Sequence, residues 1–269
     1  MKPTKFFLAL LISSCFFSCS SDDSNGDNDN SSFQIPLTNG SFWTYDVENE
    51  TENTRDSLYI SNDTIINTKT YKKFKTRDNL ATGFYSSSLR NNGVRFSDGK
   101  LLLSGDLSLA GGADLGLDFD LTLDDFIIFN RNATAGQLLS TKSGTIEEDF
   151  DGVPITINYS LKSFGGETLP SYTSPNGAIY SNVKTAIIKL NVTITSTQTV
   201  EGLPFPITIN VLTPQDVIVS TQYIASGIGV VYTNTNTSYN INSMIADEFG
   251  IPASGSQNQK EFLDDYQIN

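Results

Sequence analysis

The stretch DLGLDFDLTLDDF, residues 114–126, carries a carboxylate at nearly every second position. Asp114, Asp118, Asp120 and Asp124 share one parity, and Leu115, Leu117, Phe119, Leu121 and Leu123 the other. A divalent cation site and an acid–base pair are the two chemistries such a row would serve. A calcium ion takes about six to eight oxygens at about 2.3–2.6 Å, gathered by a tight loop. An extended strand instead sets same-face neighbours ~6.6 Å apart, and the spacing departs from the calcium-loop motif. A glycosidase pair needs carboxyls about 5–5.5 Å or about 6.5–9.5 Å apart. Asp118 and Asp120 would meet the second range, as would any two alternating acids on any strand. The two-residue period is that of a strand with one solvated face, where acids discourage aggregation. No catalytic residue, metal ligand or cofactor is assigned, and the chain is read as not an enzyme.

A second cluster is basic. KTYKKFKTR, residues 69–77, places Lys69, Lys72, Lys73, Lys75 and Arg77 among Tyr71 and Phe74. Two readings stand: a cationic contact strip for an anionic glycan, lipid head group or acidic partner, or a lysine-protected strand edge. GIG at 227–229 lacks the third glycine and the following helix of a dinucleotide fingerprint, and marks a bulge or bend.

The totals remove whole classes of chemistry. Among 269 residues there is no His, and the two cysteines are Cys15 and Cys19. Beyond residue 19 there is therefore no Ser–His–Asp triad, no His or Cys zinc ligand and no disulfide. A formal net charge of −13 opposes nucleic acid binding, which needs clustered cations. Apolar residues at 38% and aromatics at 11% suffice for a core.

MKPTKFFLALLISSCFFSC reads as an export signal: Lys2 and Lys5, an apolar run from Phe6 to Ile12, then small residues. The run is far shorter than the ~20 apolar residues of a spanning helix. A cysteine at the cleavage position resembles the bacterial lipobox. LISSC ends at Cys15, and FFSCSSDD surrounds Cys19. Cys19 is preferred because Cys15 then leaves with the signal and no stray thiol remains, with Cys15 the alternative. An acyl anchor at that cysteine gains ~0.8 kcal/mol per buried methylene. Residues 20–32 are polar, hold four Asp and read as a disordered acidic tether, roughly 20 Å in root-mean-square span.

Residues 33–269 read as a single β-rich domain. Turn signals recur at Asn39-Gly40, Asn92-Gly93, Asp98-Gly99, Asp151-Gly152 and Asn176-Gly177, dipeptides suited to tight hairpins. Between them lie runs such as FWTYDVE (42–48), PITINYSLKS (154–163), KTAIIKLNVTITSTQTV (184–200), FPITINVL (205–212), DVIVSTQYIA (216–225) and GVVYTNTNTSYNI (229–241). Trp43 and Tyr45 share one face of the first and are read as core. Only Ser243–Phe249 and Gln259–Tyr266 look locally helical. The fold is therefore mainly β, an antiparallel sheet forming a β-sandwich or a strongly curved, partly open barrel with little helix. A filled interior is preferred to an open cavity.

Taken with the N-terminal pattern, NGSFWTYDVE, RDSLYISNDTIINTKTYKKFKT, GFYSSSLRNNGVR and SGIGVVYTNTNTSY resemble a family of uncharacterised Bacteroidetes (flavobacterial) surface lipoproteins. The resemblance covers most of the chain beyond the signal. It implies an outer-membrane, lipid-anchored location exposed at the cell surface and a β fold, and it carries no activity. The resulting expectation is a membrane-anchored protein that acts by binding or as structure on an unknown protein, glycan or lipid partner. A carrier or sensor with an apolar cavity and a carboxylate-based glycan hydrolase are the alternatives.

Overall fold

The computed structural model describes residues 33–110, 118–150, 152–199, 204–243, 246–247 and 251–269. The described residues form two meanders of six strands. The first holds β1 (Phe42–Glu48), β2 (Asn53–Ile66), β3 (Lys69–Thr76), β4 (Gly93–Ser97), β5 (Lys100–Ala110) and β6 (Asp118–Asn130). The second holds β7 (Leu138–Phe150), β8 (Val153–Thr173), β9 (Ile179–Gln198), β10 (Ile207–Ala225), β11 (Gly229–Asn240) and β12 (Ser254–Gln267). One helix, α1 (Phe84–Leu89), lies between β3 and β4.

All twelve strands join one antiparallel sheet, in the order β6-β5-β4-β3-β2-β1-β12-β11-β10-β9-β8-β7. It curls into a nearly closed barrel with one unsealed seam. The seam separates the two ends of that order, β6 and β7. Of the two architectures that the sequence allowed, the curved barrel is the one formed. The first and last strands are joined where β1 pairs with β12, with Tyr45 opposite Leu263 and Val47 opposite Glu261.

Gln259–Tyr266, expected as a helix, therefore lies inside β12. Its local preference is overridden because it is hydrogen-bonded between β1 and β11, and tertiary pairing outweighs propensity. In the other expected helix, residues 243, 246 and 247 are helical and the remainder lies outside the described residues.

Turn chemistry explains the hairpins. Asp98 and Gly99 both take positive φ, 52° and 75°, as the two-residue β4–β5 turn requires. Gly177 and Gly152 do the same at the tips of β8–β9 and β7–β8. Asn92-Gly93 differs. Asn92 is 3% exposed and its amide donates to the carbonyls of Ser88 and Asp106, so it caps α1 from the barrel wall. The GIG segment supplies the β10–β11 turn. Gly229, at φ 111°, takes a backbone conformation that strains L side chains, and a Cβ there would sit a tight 3.2 Å from Trp43 Nε1.

The interior is filled by alternating residues. Trp43 and Tyr45 are 4% and 1% exposed. They donate to the carbonyls of Ile228 and Val230 at 2.6 and 2.9 Å, and Trp43 stacks on Phe74. Opposite them lie Phe126 and Ile128 of β6 and Leu161, Leu190 and Ile218 of the second meander. Residues 33–37 strap one barrel end. Phe33 lies 5.3 Å from Phe129, and Gln34 exchanges hydrogen bonds with Ser226 and Gly227 of the β10–β11 turn. On the outer wall, the register pairs Tyr223 with Tyr232 and Tyr232 with Phe262. The β8–β9 tip lays Tyr172 onto Tyr223 at 4.2 Å.

The first meander has its own tie. A bulge puts Asp125 at φ 49°, with a register shift between Leu103 and Gly105 of its partner strand. Asp125 there receives Arg95 in a bidentate pair at 2.7 Å, Tyr71 Oη at 2.6 Å and the Lys69 ammonium. Ser104 Oγ donates to Tyr71 Oη and accepts from the Asp125 N–H. Arg95, ahead of Lys69 and Tyr71, holds the Asp125 carboxyl well below the usual carboxylate range, against the raising effect of partial burial. Asp125→Asn should cost about 2 kcal/mol, the scale of hydrogen bonds to a charged group, read as a lowered urea midpoint at pH 7. Because the folded pKa is depressed, this contribution is present above the unfolded value of about 3.9 and is lost as pH falls through the folded one. The gap between wild type and variant should close in acid; a gap that persists undiminished would contradict the assignment.

Candidate functional site

The acidic row is dispersed. Asp120 and Asp124 are exposed, while Leu121 and Leu123 between and beside them are buried. This is the alternation of a strand with one wet face. Asp120 accepts from Ser108 Oγ on β5. Asp114 lies outside the described residues, and only the backbone of Asp118 is described, in β6. Among the described residues no group of three or more acids converges as a metal site would need.

The four lysines of the basic strip lie in β3, an interior strand of the sheet between β2 and β4, and Arg77 follows its last residue. The lysine-protected edge suggested by its composition is therefore not where it sits. Three of its cations are engaged within the protein. Lys69 pairs with Asp125, Lys72 with Asp63 at 2.5 Å, and Lys73 donates to the Asn91 carbonyl. Lys75 and Arg77 form no ion pair among the described residues. Tyr71 and Phe74 leave opposite faces of the strand, toward Asp125 and Trp43 respectively.

A different group of residues converges around α1. β4 is short, and its ladder with β3 covers only Lys72–Val94 and Lys73–Gly93. Below that ladder α1 occupies the space between β3 and β5. FYSSSL has little intrinsic preference for helix, and at six residues it is too short to stand alone. Side chains of the barrel wall make it helical by accepting its free N–H groups, the orphans of every helix start. Asp56 of β2 accepts from Thr82 N and Gly83 N at 3.0 and 2.8 Å. Gln259 of β12 accepts from Phe84 N at 2.6 Å and donates to the Thr82 carbonyl. Glu261 accepts from Tyr85 N at 2.7 Å and from Ser86 N and Oγ. Gly83 is required by this closeness: a Cβ there would lie 2.1 Å from Glu261 Oε2.

Asp56 and Glu261 are 3% and 1% exposed. Burial pushes the Glu261 carboxyl up to about 7, with the nearby Asp56 charge adding and the Tyr85 and Ser86 hydrogen bonds opposing. Burial likewise raises the Tyr45 and Tyr85 phenols, so both stay neutral.

Beside this clamp lies a chamber of about 200 Å³. Ser87, Ser88 and Phe84 of α1 form one wall and Ser108 of β5 another. Thr235 and Thr237 of β11, Gln257 and Gln259 of β12 and Ile218 of β10 complete it, with Thr82 at the rim. An outer groove shares Ser87 and Ser108 with it and adds Lys73, Arg90 and Asp106. In contrast, the apolar interior between Trp43, Phe74, Leu89 and Ile128 leaves only about 30 Å³.

The sequence reading singled out neither α1 nor the chamber. In YTNTNTSYN the register sends Thr235 and Thr237 inward and Asn234 and Asn236 outward, where Asn258 bridges the two asparagines. Both faces are polar, so alternation carries no signal of which one lines a cavity.

No family model, no curated protein and no solved structure matches this chain.

Glu261 supplies the test of the clamp. Its folded pKa is raised, so its stabilising contribution is complete below the unfolded value near 4.5 and is lost as pH rises through about 7. Over that window the melting temperature of wild type should fall relative to that of Glu261→Gln, which keeps an acceptor for Tyr85 N and cannot ionise. Parallel curves for the two proteins would show that Glu261 is not the group responsible.

Proposed function

We propose that this protein is anchored by lipid at Cys19 to the outer membrane, is displayed at the cell surface, and acts by binding rather than by catalysis. The N-terminal pattern of charge, apolar run, cysteine and acidic tether supports the anchor, and the resemblance to Bacteroidetes surface lipoproteins supports the exposure. The binding reading is carried by one observation: the polar chamber lies in the half of the barrel away from the strap. Along β11, the strap contacts the turn before Gly229, whereas Thr235 and Thr237 line the chamber, about 20–27 Å further on at the rise of a strand. The strap residues therefore leave the chamber uncovered. Among the described residues the apolar interior between Trp43, Phe74 and Ile128 leaves about 30 Å³, too little for an acyl chain, which is why a binding protein is preferred to an apolar carrier. Lys75 and Arg77 remain as the part of the cationic strip available to a partner.

Cells expressing the full chain and fed radiolabelled fatty acid should label wild type and Cys15→Ala but not Cys19→Ala. Protease added to intact cells should remove the domain. Label retained in Cys19→Ala, or complete protection from protease, would overturn the anchor or the exposure respectively.

A further inference from the structure

We propose that the chamber beside α1 binds one uncharged monosaccharide. This rests on the binding reading above and names the ligand class for that site. The chamber's polar side chains are hydroxyls and carboxamides, and among the described residues no Lys, Arg, Asp or Glu lines it. An ionic ligand would lose hydration there without meeting a counter-charge. Hydroxyls and carboxamides each donate and accept, which complements a molecule whose own groups are hydroxyls.

Some of these groups are committed and some are free. Ser88 Oγ donates to the Phe84 carbonyl and Ser87 Oγ to the Ala81 carbonyl, which leaves their oxygens able to accept. Thr235 Oγ1 shares a hydrogen bond with Ser220 Oγ at 2.9 Å. Thr237 and Gln257, register partners on β11 and β12, form no side-chain hydrogen bond among the described residues and keep both donor and acceptor capacity. Phe84 and Ile218 add the apolar contact that the C–H surface of a sugar ring takes. The volume, about 200 Å³, is below the roughly 300–1,000 Å³ of sites for larger ligands, which limits the occupant to a single ring. The walls are held in place from several elements, since β12 supplies both the α1 clamp and two of the lining carboxamides. A preorganised site of this kind spends little binding energy on ordering.

The test uses the full chain purified in a detergent without a sugar head group. Glucose, galactose and N-acetylglucosamine are compared with glucuronate and glucose 6-phosphate by saturation-transfer NMR and thermal unfolding. At least one neutral sugar should show transfer and raise the melting temperature by mass action, and the two charged sugars should do neither. Gln257→Ala and Thr237→Val should each weaken binding about tenfold, the scale of one lost hydrogen-bonding group, with the melting temperature of the free protein unchanged. The proposal is overturned if no neutral sugar binds, if the charged sugars bind equally well, or if both variants bind like wild type. The neutral-against-charged comparison needs no variant and decides alone if a variant fails to fold. Failure here with acylation and surface exposure intact removes the ligand class and leaves the anchored reading standing. Failure of acylation removes the anchor and leaves sugar binding as measured.

Discussion

The pairing of β1 with β12 is the constraint on which the barrel depends. Every other ladder joins strands that follow one another in the chain. Most of those hairpins close a short loop and form locally at low entropic cost; the β3–β4 connection, which holds α1, and the β11–β12 connection are longer. The β1–β12 ladder instead joins the two ends of the domain, with Phe42 opposite Gln267 and Glu48 opposite Lys260. Without it the two meanders would be separate curled sheets with their apolar faces open to water. It is also what brings Asp56 on β2 and Glu261 on β12 to the same turn of α1.

That convergence makes the interior chemically uneven. On β6, β8 and β9 most of the buried residues are Leu, Ile, Val and Phe. From β11 to β12 the inward residues include Thr, Gln and Glu. Two carboxylates buried without a cation are costly. Their cost is offset by the first N–H groups of α1, which would otherwise lack partners in a buried place. The helix and the acids thus satisfy one another, and the chamber is the space left where a six-residue helix replaces a missing length of strand.

The seam is the other consequence of closing the barrel at only one junction. β6 and β7 follow each other in sequence yet form no ladder. β7 has no buried residue among those described and carries Lys142, Glu147, Glu148 and Asp149, charges of the kind that keep a free edge from pairing with another chain. Across the gap, Ser163 Oγ on β8 donates to the Ile127 carbonyl of β6 at 2.5 Å, so an edge acceptor is satisfied by a side chain where no strand reaches it.

Much of the architecture is legible in the chain itself because strands and hairpins are local. FWTYDVE coincides with β1, and Asp98-Gly99, Gly152 and Gly177 mark tips of hairpins, since positive φ is a property of single residues. The wet parity of Asp120 and Asp124 follows from period two alone. What the sequence could not decide needs distant partners. Gln259–Tyr266 is a strand because β1 and β11 flank it. FYSSSL is a helix because Gln259 and Glu261, which are remote in sequence, accept its first N–H groups, and Asp56 accepts those of Thr82 and Gly83 just before it. Lys69 is committed to Asp125, 56 positions away, so a basic cluster in one dimension is partly neutralised in three. Thr235 faces a chamber and Asn234 faces solvent although both are polar, since inside and outside exist only once the sheet has curled.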